Sequence, residues 1–278
     1  MSSLSSSQPR SHRVRYLLLG AAILWLLLSL FAPAIEQSHG YHAFADQRLW
    51  GVLPHAMDVL SNLGFLIAAI WGAWELYLVR KLPVSPTARF MAAVFFLGLA
   101  CSFAGSSYYH WAPHDASLVW DRLAMCVPFA GIVGLALQQT CDDRSAQWGA
   151  AAMLVGGIAS VLIWQHNGNL LPWSVVQGGG MLALVVLAFQ PARGDSWHVR
   201  LGMVIVFYAL AKLFELGDAE VFHFDHELIS GHSVKHLLAA CAAWPVLQAL
   251  RRLRANGATG ATADLPFAGT MPVRNQLR

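Results

Sequence analysis

The chain has 278 residues, of which 56% are hydrophobic and only 12% charged, about half the charged share of ordinary soluble domains. Too few charges remain to coat a water-facing surface, which excludes a soluble globular protein. The formal net charge of +3 is scattered, with no basic run, which excludes a nucleic-acid partner as well.

Spanning a hydrocarbon core takes roughly 20 mostly apolar helical residues. Segments of that kind recur at 15–33, 56–79, 90–111, 117–139, 148–165, 172–190, 199–216 and 232–250. Backbone groups in lipid must be paired within their own segment, and the alternation of a membrane barrel is absent, so these eight spans are read as helices. The fold class is therefore an all-α polytopic membrane helical bundle. The N-terminus (1–14) and the Gly/Ala/Thr-rich tail (255–278) are predicted to be disordered. The first span is read as an uncleaved anchor, although Ala32-Pro33-Ala34 loosely fits a signal-peptide cleavage site. Cys101, Cys126, Cys141 and Cys241 lack metal or redox spacing and read as packing residues.

Lys and Arg set the orientation. Arg10, Arg13 and Arg15 precede the first span; Arg80, Lys81 and Arg89 follow the second; Arg144 follows the fourth. Arg193 and Arg200 follow the sixth, and Arg251, Arg252 and Arg254 follow the last. With eight spans all fall on one side, placing both termini in the cytoplasm. The opposite loops hold His39, His42, Asp46, His114, Asp115, Asp218, Glu220, His223, Asp225, His226 and Glu227. With no organelle address evident, a bacterial inner membrane is expected, with the site below near its periplasmic side.

Ionisable residues at membrane depth are costly and mark candidate sites. The third span ends Ser106-Ser107-Tyr108-Tyr109-His110-Trp111, the fourth begins Trp120-Asp121-Arg122, and the eighth begins His232-Ser233-Val234-Lys235-His236. All three stretches lie at one outer level. Ser106 and His110 are four apart, as are His232 and His236, so each pair shares a helix face. Three neutral imidazoles with a position left to water is the ligand set of a catalytic zinc site. A nearby carboxylate can take the water's proton, and a hydroxyl can support an oxyanion. Plainer readings exist for each residue alone. The histidines fit interface anchors, Asp121 a helix-dipole partner or an ion pair with Arg122, and Ser106 a packing residue. Lys235 would repel a cation if it faced inward and is expected to snorkel outward.

Ser106-x-x-x-His110, Asp121 eleven residues on, and the late His232-x-x-x-His236 together resemble the alkaline ceramidases. Their wider superfamily includes progestin and adiponectin receptors and a lipid-remodelling factor for GPI anchors. Trp120-Asp121-Arg122-Leu123-Ala124-Met125 and Asp58-Val59-Leu60-Ser61-Asn62-Leu63 share the resemblance. It implies a seven-helix core over 55–250 plus one extra N-terminal transmembrane helix (15–33). It further implies one zinc ion per chain on His110, His232 and His236, Asp121 as general base, and Ser106 supporting the oxyanion. The reaction implied is hydrolysis of ceramide or a related lipid amide to a fatty acid and a long-chain amine. The family's acidic calcium cluster is not reproduced, since His55 stands where a Glu is expected, so no calcium site of that kind is predicted. Three other readings are a receptor-like protein with structural zinc, haem ligation by paired histidines, and metal transport. The first lacks a large soluble ligand domain. In the second, His232 and His236 share one face, and the third finds no chain of ligands reaching the cytoplasmic side. Oligomeric state is not readable from the sequence.

Overall fold

The computed structural model describes residues 8–194 and 197–263. Among them the helices, in chain order, are α1 (Gln8–Phe31), α2 (Ala56–Ser61), α3 (Leu63–Leu78), α4 (Pro86–Trp111), α5 (Asp115–Thr140) and α6 (Asp143–Asn167). Then come α7 (Leu171–Ala188), α8 (Leu201–Leu216), α9 (Asp218–Phe224), α10 (Gly231–Cys241) and α11 (Trp244–Ala263). The described residues hold no strand beyond an isolated Trp50–Leu53 bridge. The chain is an all-α membrane bundle. The segments expected to be disordered meet helix sooner than expected, at Gln8 and up to Ala263; their remaining residues, 1–7 and 264–278, lie outside the described residues.

Among the described residues, six stretches are long and apolar enough to cross a membrane: His12–Phe31, Ala56–Leu78, Pro86–Trp111, Asp115–Thr140, Asp143–Asn167 and Leu171–Ala188. The other two expected spans take a different form. α8 is 16 residues long and carries Lys212 and Glu215. The segment at 232–250 is broken between α10 and α11, just before Pro245, whose ring cannot sit in a helix interior without losing a backbone bond. Side-chain caps fix the helix starts, those of α5 and α10 next to the site. The Ser85 hydroxyl accepts from the Ala88 amide ahead of α4. His114 and Ser117 cap one another reciprocally at α5, and the Ser230 hydroxyl accepts from the Ser233 amide at α10.

Small residues allow close helix contact where lipid supplies no hydrophobic drive between helices. A Cβ on Gly105 of α4 would lie 2.6 Å from the Trp120 carbonyl oxygen of α5. That contact sets Ser106 and His110 beside Asp121. A Cβ on Gly231 would lie 2.4 Å from the Phe214 carbonyl oxygen, so α10 starts pressed against the end of α8. α1 lies on the outside of α6 and α7, where the Trp25 indole N–H donates to Ser160 Oγ (3.1 Å) and to the Pro172 carbonyl (3.2 Å). From its end the chain at 32–55 crosses the mouth of the bundle. It is tied to the α6–α7 turn by the Leu170 amide donating to the Ile35 carbonyl (2.8 Å).

Candidate metal centre

His110 sits in the last turn of α4, and His232 and His236 sit one turn apart on α10. All three are buried, at 1%, 7% and 2% exposure. Their ring centroids form a near-equilateral triangle with sides of 4.8, 4.9 and 4.9 Å. One ligand nitrogen from each lies within 4.8 Å of the others, the arrangement required to hold one metal ion. The Nε2 atoms of His110 and His232 are 3.2 Å apart. A tetrahedral ion with Zn–N bonds of about 2.0–2.1 Å separates its ligand nitrogens by roughly 3.3 Å, so this pair already stands at a coordination edge.

The proton placement on His236 follows from its neighbours. The Ser61 hydroxyl donates its single proton to the Asp58 carbonyl (2.9 Å) and lies 2.8 Å from His236 Nδ1. Ser61 Oγ must then accept from Nδ1–H, which leaves a bare lone pair on Nε2. His236 Nε2 is buried and has no hydrogen-bond partner. A buried acceptor with nothing to accept is costly, and a cation between the rings satisfies it. The three-imidazole set therefore fits a divalent metal. His110 Nδ1 is also buried without a partner, so the protein does not fix the tautomer of that ring.

The start of α10 is anchored by residues whose roles the sequence did not disclose. Asp58, fully buried, accepts from the Ser230 and Ser233 hydroxyls (2.9 and 2.7 Å). Asp218 accepts from the His232 amide (2.7 Å) and the Ala45 amide (2.9 Å), clamping the 32–55 segment against α10. Phe44 of that segment is buried and packs 4.7 and 4.6 Å from the rings of His110 and His232, roofing the cluster. His42 hydrogen-bonds the Tyr109 hydroxyl (2.9 Å) and Asp115 (3.1 Å) in the same roof. The only warning in sequence was the crowding of His and acidic residues in these loops.

Asp46 and Arg48 fasten the roof's far end. Arg48 donates to both Asp46 oxygens (2.8 and 2.6 Å) and to the carbonyls of Glu227 and Leu228. Burial alone would raise the Asp46 carboxyl, but the Arg48 side-chain and backbone hydrogen bonds and charge outweigh it and hold it below the usual carboxylate range. The cation that Asp46 engages is thus a guanidinium. Asp225, another of the outer acids, accepts from the Leu228 and Ile229 amides (3.0 and 2.9 Å) and serves the turn before α10.

Ser106 is buried and Asp121 is half-buried. Both line a cavity of about 170 Å³ together with His236. Its walls continue down the bundle through Phe95, Leu99, Ile132, Met181, Leu184 and Val204. Phe95 lies eleven residues before Ser106 on α4, which is roughly 16 Å of helix. The cavity therefore joins a polar end at His236, Asp121 and Ser106 to a long apolar trough.

The outward course expected for Lys235 is overturned. Its ammonium turns inward, 3.0 Å from Glu215 Oε1 and 2.9 Å from His232 Nε2. The reason is Glu215 of α8, which also pairs with Lys212 (2.5 Å). A buried lysine with a carboxylate partner is held inside more favourably than one facing lipid. Compared with protein-family models, curated proteins and solved structures, the chain matches none.

Proposed function

We propose that the protein is a zinc-dependent integral membrane hydrolase that cleaves the N-acyl bond of ceramide or a related lipid amide, releasing a fatty acid and a long-chain amine. The observation that carries this reading is a cavity lined by His236 of the metal-competent histidine cluster, by Asp121 and Ser106, and by an apolar trough. The resemblance of Ser106-x-x-x-His110, Asp121 and His232-x-x-x-His236 to the alkaline ceramidases supports the same assignment. The Lys and Arg distribution supports a multi-pass protein of a bacterial inner membrane. Both termini are then cytoplasmic and the site lies near the periplasmic face.

His110, His232 and His236 hold the ion. When bound, zinc supplies a Lewis acid and brings the pKa of a coordinated water to about 7. Asp121 takes the proton of the attacking water as its oxygen bonds to the amide carbon, then returns that proton to the amine nitrogen as the C–N bond breaks. Ser106 has one hydroxyl proton. In this reading the proton is offered to the ionised Asp121 carboxylate, which lines the same cavity. Once Asp121 is protonated and donates in turn, the Ser106 proton is free to stabilise the oxyanion. The trough takes the acyl chain, and the roof bearing Phe44 limits bulk water at the histidines.

The test is metal content by plasma mass spectrometry on detergent-purified wild type and His236→Ala, with hydrolysis of a fluorescent N-acyl sphingosine. About one zinc per chain, lost together with fatty-acid release in the variant, is expected. Asp121→Asn should keep the metal and lose turnover. Full turnover by Asp121→Asn refutes the base assignment. Zinc without hydrolysis of any lipid amide points to the receptor-like alternative.

A further inference from the structure

We infer that the substrate's amine half carries a carboxylate on the carbon bonded to the amide nitrogen, making the preferred substrate an N-acyl amino acid, read by Lys235 with Lys212 and Arg122. The inference rests on the amide-hydrolase reading above and narrows its substrate class.

The cavity wall carries three cations, Arg122, Lys212 and Lys235, against two carboxylates, Asp121 and Glu215. Glu215 is already satisfied, with one oxygen on each lysine. Arg122 is 3% exposed; it donates to Gln37 through Nη2 and its guanidinium lies 4.0 Å from the Trp164 ring centroid, while its Nη1 is buried with no hydrogen-bond partner. A surplus positive charge between apolar walls is poorly screened, and an anion is the ligand that relieves it. A head bearing only hydroxyls leaves that surplus standing.

Position narrows the anion further. The Lys235 ammonium is 2.9 Å from His232 Nε2, the nitrogen paired with His110 at the coordination edge. One lone pair cannot serve both a metal and an ammonium, so on the metal-bound protein Lys235 keeps Glu215 and has a donor free for the cavity. An anion meeting that donor lies within a few ångströms of the scissile carbonyl. A carboxylate on the carbon next to the amide nitrogen has that reach; a charge at the far end of a long head does not. The apolar trough then receives the acyl chain and the charged end holds the amino acid.

The experiment compares N-dodecanoylglycine with N-dodecanoylethanolamine, which have equal chains and differ in carboxylate against hydroxyl. Both kcat/KM on the zinc-loaded wild type and Kd on zinc-loaded Asp121→Asn are measured, the latter by quenching of tryptophan fluorescence, since Trp173 lines the cavity. A preference for the glycine conjugate of tenfold or more is expected in both. Lys235→Met and Lys212→Met should each reduce it at least fivefold, and Lys212→Arg should retain it. Equal or better handling of the ethanolamide by the wild type overturns the inference without recourse to any variant. So does a preference that survives both Met substitutions. Hydrolysis of neither amide nor of the N-acyl sphingosine, with carboxylate-selective binding that Lys235→Met abolishes, refutes the hydrolase reading and leaves the carboxylate clamp standing.

Discussion

Replacing Ser61 by Ala tests whether the groups behind the histidines prepare them for a metal. The hydroxyl lies 2.8 Å from His236 Nδ1 and determines which nitrogen carries the proton. Without it, Nδ1–H loses the hydroxyl that accepts it, and the Nε2 tautomer becomes accessible. Loss of such an outer partner weakens metal binding by about 10- to 100-fold, or about 1.4–2.7 kcal/mol. Zinc competition against a chelator of known affinity, on detergent-purified protein, measures this directly. Melting of the metal-free protein should fall only by the roughly 1–3 kcal/mol of the two buried hydrogen bonds that Ser61 makes, and the same loss in metal-free and metal-loaded protein would mark general damage. Zinc affinity within twofold of wild type refutes the argument that Ser61 sets the His236 tautomer.

Gly105→Val drives a side chain into the Trp120 carbonyl 2.6 Å from the Cβ position and should cost about 1–3 kcal/mol of stability, read as earlier thermal unfolding in detergent. Unchanged melting would show that the α4–α5 contact has slack. Phe44→Ala removes a buried ring packed over His110 and His232 and should speed stripping of bound zinc by chelator at least tenfold; an unaltered rate would mean the roof does not guard the ion. The Asp46–Arg48 clamp should loosen in acid. Because the folded Asp46 carboxyl lies below its ordinary value, its contribution is complete above about pH 4 and fades as the pH falls through the lowered folded value. Hydrogen exchange at Phe44 and Ala45 should quicken across that acid range in wild type and lose the dependence in Asp46→Asn.

The helical bundle was legible because apolar runs of spanning length carry their own meaning. The three histidines were legible because i,i+4 spacing and a shared depth can be read along the chain. Less was legible where partners come from distant segments. Lys235 looked like a snorkelling residue because Glu215 lies twenty positions away on another helix, within an apolar run that seemed to need no comment. Ser61 and Asp58 belonged to a recognisable segment, but their grip on His236 and on the start of α10 depends on how α2 meets α10. The eighth span read as continuous because hydropathy does not register Pro245. That break leaves α10 a short helix of eleven residues, fixed at its start by Asp58 and Asp218 rather than by its length.

Partnerless atoms among the buried polar groups give the site its clearest outline. Buried polar groups in folded proteins are nearly all hydrogen-bonded, and a bundle in lipid has the most reason to satisfy them. Around α10 most are satisfied: Ser230, Ser233, Asp218, Glu215 and Lys235 each have a partner within 3.0 Å. Amid this pairing stand His236 Nε2, His110 Nδ1 and Arg122 Nη1 without one. A cluster that served only to lock helices together would have little reason to bring three imidazoles to one point and leave a guanidinium nitrogen idle in the adjoining cavity wall. Bare imidazole nitrogen calls for a cation and spare guanidinium for an anion. A metal ion with an anionic group beside it satisfies both demands at once.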